Sequence, residues 1–253
     1  VYKRQGRLQG RSVAVVSGDE NQADTDAILV PELHERGIEV ADTAVNDVIG
    51  TDIPAEDTLW DVIAERIRSA GADAVIVNGD TTAAIRGIVR NGLDVEVWVL
   101  EQGQLASLGD SVDRDDAEGT ITIQGLTDTE AWDEPLMQQC RQVFGDANPD
   151  VVVEGPDEVA LEAPHWNTAL GQACREVTLF ELIATAAGPV LTPDSVRAAA
   201  DGLGEFSLPT VPNASLGPGK PDANDSARLT VWDSTAGEDG RLVALTEITD
   251  LTP

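Results

Sequence analysis

The strand–helix–strand pattern of residues 72–103 most constrains what this chain can fold into. Residues 74–77 form a short apolar run, which ends in a polar turn at residues 78–82. A helix with apolar residues on one face follows and stops near Gly92. It leads into a second predicted strand at residues 95–100, which is apolar except for Glu96. A helix that joins two strands over short connections indicates two parallel strands of one sheet.

The turns that follow these two strands carry the acids Asp80 and Glu101. The carboxyl ends of parallel strands meet at one edge of the sheet, and ligands of open α/β sheets bind there, so we expect both acids beside a crevice. Asp80 also has a local explanation, because an Asp in front of a helix accepts backbone N–H bonds as its N-cap. Glu101 precedes no helix, so ligand contact and loop solvation are open alternatives.

The same alternation extends over residues 12–100, which predicts an α/β fold with a doubly wound parallel sheet. Pro31 falls inside the first predicted helix, where we expect a kink or a broken first half. The predicted strands are residues 12–16, 38–44, 74–77 and 95–100, and the predicted helices are residues 24–36, about 57–70, and 83–91.

The second part of the chain has helices but few strands. A strand is expected at residues 120–124, a short strand at residues 151–153, and a long loop or crossover at residues 209–225. Two further strands, residues 228–232 and 242–248, are expected to pair with each other. The predicted helices are residues 134–144, 165–187 and 193–203.

Composition excludes several classes of protein. The formal net charge of −30 argues against nucleic acid as a partner, because the phosphate backbone would be repelled. Lys3 and Lys220 are the two lysines, and base composition together with adaptation to a salty medium explains such an acidic chain. No apolar run is long enough to span a bilayer.

The motifs needed for catalysis or for a cofactor are missing. The turns after the strands lack the glycine patterns that bind phosphate, and no nucleophile elbow is present. The two histidines, His34 and His165, fall in different segments, and no set of carboxylates has the spacing of a metal site. We therefore expect no enzyme, no metal and no cofactor.

Two cysteines, Cys140 and Cys174, leave two interpretations open. An oxidising compartment permits one disulfide between them, whereas separately buried thiols explain the same residues in a reducing one. Neither cysteine belongs to a CxxC pair, which argues against a metal site and against a thioredoxin-like redox site.

Several segments in order resemble one family. The segments VAVVSGDENQ (13–22), GADAVIVNGD (71–80), VWVLEQG (97–103) and AEGTITIQG (117–125), followed by the long helix ALGQACREVTLFELIATAAG, are similar to the type I solute-binding proteins of ABC importers that bind branched-chain amino acids. The resemblance extends over roughly residues 11–250 and implies two α/β lobes that clamp a ligand.

The resemblance also implies a domain division. Residues 10–125, completed by residues 216–253, look like the C-terminal ligand-binding lobe, and residues 126–215 look like a remnant of the N-terminal lobe. We therefore expect an N-terminally truncated chain with an incomplete N-terminal lobe. Residues 1–5 lack an initiator Met and are expected to be non-native sequence.

The resemblance assigns ligand-binding roles to loops of the C-terminal lobe. The matching positions are Gln22, Asp80 with its neighbour Thr81, and Glu101, the last corresponding to an acid that holds the ligand's ammonium group. The first two positions are commonly aromatic in amino-acid-binding members, so the polar residues here point to a more polar or cationic ligand.

The expected function is therefore the capture of an amino acid or similar small polar solute for a membrane permease of an ABC importer. The alternative is the extracellular ligand-binding sensor domain of a receptor. Both functions imply a periplasmic or extracellular location, with lipid anchoring as an option.

Overall fold

The computed structural model describes residues 7–48, 52–100, 105, 112–159, 166–237 and 240–252. Its contacts divide the chain into two compact units. Unit one comprises Val1–Ile123 and Leu229–Thr246, and unit two comprises Gln124–Arg228 and Glu247–Pro253. Residues 1–5, expected to be non-native, lie outside the described residues. The assignment of the units to the two lobes of the resembling family stays a prediction.

Unit one contains a parallel sheet with helices in the connections. Its strands are β1 (Ser12–Gly18), β2 (Glu39–Asn46), β3 (Ala74–Asn78), β4 (Glu96–Val99) and β5 (Ile121–Gln124), then β8 (Ser226–Asp233) and β9 (Arg241–Ala244). The strands β1 to β5 are parallel and lie in the order β2-β1-β3-β4-β5, followed by β8. This order is that of a doubly wound α/β sheet, so the predicted fold class is confirmed.

The helices of unit one cover both faces of this sheet. They are α1 (residues 19–35), α2 (Ile53–Ala70) and α3 (Thr81–Arg90), with a short 3-10 helix at Arg114–Ala117. In β1, Ala14 and Val16 join the core on the side of α2 and α3, whereas Val13 and Val15 join the core that contains Leu33 of α1. Successive strand residues point to opposite faces, so a continuous apolar run such as β1 requires cover on both sides.

One expected helix boundary needs correction, whereas the expected irregularity near Pro31 is present. Helix α2 begins at Ile53 rather than near residue 57, because Asp52 accepts a hydrogen bond from the Ala55 amide at 3.1 Å and Pro54 lies in the first turn. Helix α1 contains a π-turn at Thr25–Leu29 immediately before the α-helical Val30–Glu35. The π-turn accommodates Pro31, whose missing N–H removes a regular helical bond.

Gly87 allows α3 to pack closely on α2. A Cβ at residue 87 would lie 2.5 Å from two ring atoms of Trp60, whose side chain is almost fully buried. We expect Gly87→Ala to destabilise the protein by about 1–2 kcal/mol in urea unfolding, since overpacking outweighs the helix propensity of Ala. The matched control is Gly145→Ala, because no atom lies within 4 Å of the added Cβ. Equal effects of both changes would contradict this packing role.

Unit two is mainly helical within the described residues. Its helices are α4 (Asp128–Asp133), α5 (Pro135–Ala147), α6 (Trp166–Ala187) and α7 (Pro193–Asp201), and its strands are β6 (Gly204–Leu208), β7 (Val211–Leu216) and β10 (Thr249–Asp250), together with the start of β8. The long loop or crossover expected at residues 209–225 is wrong over Val211–Leu216, because this segment is β7 and forms an antiparallel hairpin with β6. Thr210, with a φ of 68°, makes the tight turn after Pro209.

For the later part of the chain, one expected strand pairing is confirmed, one expected strand is wrong, and the two cysteines form a bond. The predicted pairing of residues 228–232 with residues 242–248 is confirmed by the antiparallel ladder of β8 and β9. The strand expected at residues 151–153 is wrong, since these residues pair with no strand in the described part of the chain. Cys140 of α5 and Cys174 of α6 form a disulfide, with their Cα atoms 6.0 Å apart.

An ion pair within unit two connects β8 to the first turn of α4. Arg228 is buried, and its guanidinium donates to both carboxylate oxygens of Glu130, which also completes a capping box with Thr127. The Arg228 guanidinium is the main reason that the pKa of Glu130 falls from 4.5 to about 2. The stabilisation is therefore present above about pH 4.5 and is lost as the pH falls toward 2.

We expect Glu130→Gln to reduce the free energy of unfolding by about 1–2 kcal/mol at pH 7, and by much less at pH 3. The effect at pH 7 stays below that of a fully buried pair, because 44% of the Glu130 side chain is exposed and solvent screens it. Urea unfolding of both proteins at pH 7 and pH 3 measures the difference. A loss that is the same at both pH values would contradict the assigned pKa.

Candidate functional site

The carboxyl ends of β1 and β3 meet in direct backbone contact. A Cβ at Gly79 would lie 2.5 Å from the amide nitrogen of Gly18, so the two loops after these strands touch without side chains between them. The strands are neighbours in the sheet, with Ser17 paired to Asn78. The edge that the sequence singled out is therefore closely packed at its centre.

Hydrogen bonds from two side-chain amides connect the start of α1 to the end of β3. The Asn21 side chain donates to the Asn78 carbonyl at 3.2 Å, and the Asn78 side chain donates to the Thr25 hydroxyl at 3.0 Å. Thr25 is buried, so the second bond lies inside the unit. These bonds fix the loop that carries Gln22 relative to the loop that carries Asp80.

The structure places the predicted site residues in different settings. Asp80 is the N-cap of α3 and accepts a hydrogen bond from the Ala83 amide at 3.0 Å, so its local explanation is correct. Thr81, the first residue of α3, is fully buried, whereas Gln22 is exposed at the start of a helical turn. Glu101 lies outside the described residues, as does His165. Ligand binding by these residues stays a prediction.

Three asparagines at this edge are not among the site residues predicted from the sequence. Asn21, Asn46 and Asn78 each stand at or just after the end of a strand, and Asn46 pairs in register with Gly18. Asn46 is buried and donates to Glu56 at 3.4 Å, while its side-chain oxygen has no hydrogen-bond partner. An asparagine as the last residue of a strand is the sequence feature that could have indicated a role at this edge. Asn46 and Asn78 both occupy such a position.

The chemistry of this edge favours hydrogen-bond donors and cations. The strand ends and the residues that follow them, at positions 18–22, 46–48 and 78–82, contain Asp, Glu, Asn, Gln and Thr but neither Lys nor Arg. Carboxylates accept hydrogen bonds and attract ammonium groups. Among the described residues, no group of three or more His, Cys, Asp or Glu side chains is placed to hold a metal ion.

Behind this edge, a buried ion network joins α2 to α3. Arg86 donates to Glu56, whose side chain is 2% exposed, and also to Asp57 at 3.0 Å. Burial alone lowers the pKa of Arg86, but the bonds to Asp57 and Glu56 outweigh burial and raise it above its ordinary value. Arg86 therefore stays charged and holds the first turns of α2 in place.

Within the described residues, none of the helices has the length and apolarity required for a membrane span.

Comparisons with solved structures identify one fold. The leucine-, isoleucine-, valine-, threonine- and alanine-binding protein of Brucella ovis matches 100% of this chain and 61% of its own, at a TM-score of 0.67 and 15% identity. A solute-binding protein of an ABC transporter of R. palustris, in complex with 4-hydroxybenzoate, matches 99% and 64%, at a TM-score of 0.65 and 15% identity.

A third solved structure has another ligand class in its name. The fatty acid ABC transporter substrate-binding protein of Thermomonospora curvata matches 98% of this chain and 60% of its own, at a TM-score of 0.63 and 10% identity. No protein-family model and no curated protein sequence matches the chain. The chain thus spans about three fifths of the length of these structures. It has, as its sequence predicts, the fold of the type I periplasmic solute-binding proteins of ABC transporters.

Proposed function

We propose that the protein is the substrate-binding component of an ABC importer. It captures an amino acid or a similar small polar solute and delivers it to a membrane permease from the periplasm or the cell exterior. The observation that supports this proposal is the fold of unit one, in which the parallel strands β2-β1-β3-β4-β5 present polar loops at their carboxyl edge. In doubly wound sheets, ligands bind at that edge.

The polar loops favour one ligand class over the others that the similar structures bind. An amino acid carries a carboxylate, as fatty acids and hydroxybenzoates do, but it also carries an ammonium group, which finds carboxylate acceptors at this edge. Glu101 is proposed to pair with the ligand's ammonium group, and Asp80 and Gln22 to face the rest of the ligand. Closure of two lobes over the solute then retains it, which is a domain movement without a chemical step.

The test uses a protein in which this chain is extended to the length of the matched structures. We expect one member of a panel of amino acids, amides and polyamines to raise the melting temperature, because a ligand that binds the native state stabilises it. Glu101→Gln should weaken that ligand by about 10–100-fold in calorimetry, since a hydrogen bond to a charged group contributes about 1.5–3 kcal/mol.

Two matched variants separate the roles at this edge. Asp80→Asn keeps an N-cap for α3 but removes the charge, so any change in affinity reports on the charge rather than on folding. Glu65→Gln removes an exposed acid of α2 and should leave affinity unchanged. A panel without any stabilising member, or a Glu101→Gln variant that binds normally, would contradict the proposed ligand class.

A further inference from the structure

The connection between β7 and β8 carries one of the two lysines of this acidic chain, Lys220. Pro218 and Gly219 stand at the turn before it, and the Lys220 amide donates to the Gly217 carbonyl at 3.0 Å. Gly219 has a φ of 79°, and a proline followed by such a glycine is typical of a type II turn. The turn reverses the chain, so the Lys220 side chain reaches back to the end of β7.

The Lys220 ammonium lies among oxygen atoms of its own unit. It donates to the Ser215 carbonyl at 2.9 Å and to the Asp222 carbonyl at 2.6 Å. It also lies 3.3 Å from a carboxylate oxygen of Asp222 and 3.0 Å from one of Asp225. We name these four residues, Lys220, Ser215, Asp222 and Asp225, the lysine cage.

Asp225 is the acid of the lysine cage that depends most on the ammonium. The residue is 3% exposed, and its second carboxylate oxygen accepts a hydrogen bond from the Ser215 hydroxyl. A buried carboxylate is costly unless it is both paired and hydrogen-bonded. Burial alone lowers the pKa of Lys220, but the bonds to Asp225 and Asp222 outweigh burial and raise it above its ordinary value. The ammonium therefore stays charged beside Asp225.

The backbone of Asp225 connects the lysine cage to the neighbouring strands. Its amide donates to the Asn213 carbonyl of β7 at 3.0 Å, and its carbonyl accepts from the Leu251 amide at 2.8 Å. Strand β8 begins at the next residue, Ser226, whose hydroxyl accepts from the Asn213 amide at 2.8 Å. Leu229, farther along β8, is fully buried. The position of Asp225 therefore decides where a core strand starts.

The oxygen atoms of the lysine cage are of the kind that hard metal ions prefer. Ca²⁺ takes about six to eight oxygen ligands at roughly 2.3–2.6 Å, some of them from water. The cage offers two carbonyls and two carboxylates at 2.6–3.3 Å from the ammonium nitrogen, which is the spacing of hydrogen bonds. These oxygens form a cation site in which a covalently attached ammonium is already in place.

We infer that Lys220 is the built-in cation of this oxygen site, and that its ammonium, in place of a metal ion, fixes the start of β8. A tethered ammonium has a high effective concentration, so dissolved ions compete poorly for the same oxygens. When the side chain is shortened, the two acids keep their positions beside open space, and a divalent cation with its water takes the place of the ammonium. The inference concerns unit two and does not depend on the proposed function.

The test measures thermal unfolding of the present chain and two variants, without and with about 10 mM CaCl₂. Lys220→Ala should lower the melting temperature by about 5 °C or more, because Asp225 loses its partner. CaCl₂ should restore at least about half of that loss, since an ion that binds the native state stabilises it. Hydrogen exchange of the Asp225 amide should be at least about 10-fold faster in this variant and slow again with CaCl₂.

Lys220→Met is the matched control, because its side chain fills the same space without a charge. It should lose stability as Lys220→Ala does, but CaCl₂ should not restore the loss. The unchanged protein with CaCl₂ measures the general screening of its net charge of −30, and its melting temperature should rise no more than that of Lys220→Met.

Three results would overturn the inference. If Lys220→Ala is as stable as the unchanged protein, the ammonium does not fix the start of β8. If CaCl₂ raises the melting temperatures of the Ala and Met variants equally, no cation site opens when the side chain is shortened. If Lys220→Ala is unfolded both without and with CaCl₂, a metal ion does not take the place of the ammonium.

Discussion

Arg86→Met is expected to reduce the free energy of unfolding by about 3–5 kcal/mol, the largest effect of any single change proposed for this protein. Glu56 is 2% exposed, and without Arg86 its carboxylate keeps, among the described residues, the long hydrogen bond from Asn46 as its one side-chain partner. A buried charge without a partner is among the most destabilising features a fold contains. Urea unfolding at pH 7 measures the loss.

The control for this prediction is Arg36→Met. Arg36 pairs with Glu32 one turn away on α1, but both side chains are exposed, so the change should reduce stability by less than about 1 kcal/mol. The double variant Arg86→Met, Glu56→Leu should regain much of the loss, because apolar side chains often replace a buried ion pair well. An Arg86→Met protein as stable as Arg36→Met would contradict the importance of this network.

Replacing Cys140 and Cys174 by Ala should reduce the stability of unit two by roughly 3–4 kcal/mol. The disulfide connects α5 to α6 across a sequence separation of 34 residues, and a cross-link of that span removes considerable freedom from the unfolded chain. Its loss has a large effect because, among the described residues, the buried apolar cluster of unit two is small and consists of Leu208, Val211 and Ala214. Guanidinium unfolding with and without reductant measures the effect.

Reductant should not change the stability of the double Ala variant, which makes that protein the control for side effects of the reagent. The bond also bears on location, since disulfides persist in oxidising compartments such as the periplasm. Two free thiols, found by mass spectrometry in protein exported from cells, would contradict both the bond and the expected stabilisation.

The fold of unit one was predictable because the local pattern of strands and helices agrees with the overall α/β fold there. In residues 12–100, predicted strands of four to seven residues, rich in apolar side chains, alternate with amphipathic helices, and glycines end the helices. The cap at Asp80 follows from its position before α3. The ligand-binding roles of Gln22, Thr81 and Glu101 remain predictions.

Other features depend on contacts that a sequence pattern does not reveal. The β6–β7 hairpin was mistaken for a loop because Pro209 and the small polar residues that follow suggest one, and the left-handed backbone of Thr210 is uncommon for a β-branched residue. The bond between Cys140 and Cys174 depended on the approach of two helices. The start of α2 was misplaced because Asp52 and Pro54 resemble a turn as much as a helix start.

The contact between Gly18 and Gly79 has a consequence for selectivity. Two loops that touch through their backbones, and are held by the amides of Asn21 and Asn78, have little conformational freedom left to lose. A solute that binds at such an edge meets a surface already in its bound shape, so little of the binding free energy goes into ordering loops. Under the proposed function, discrimination between solutes depends on which side chains occupy the edge, and we expect an exchange at Gln22 alone to change the preferred solute without rebuilding the sheet.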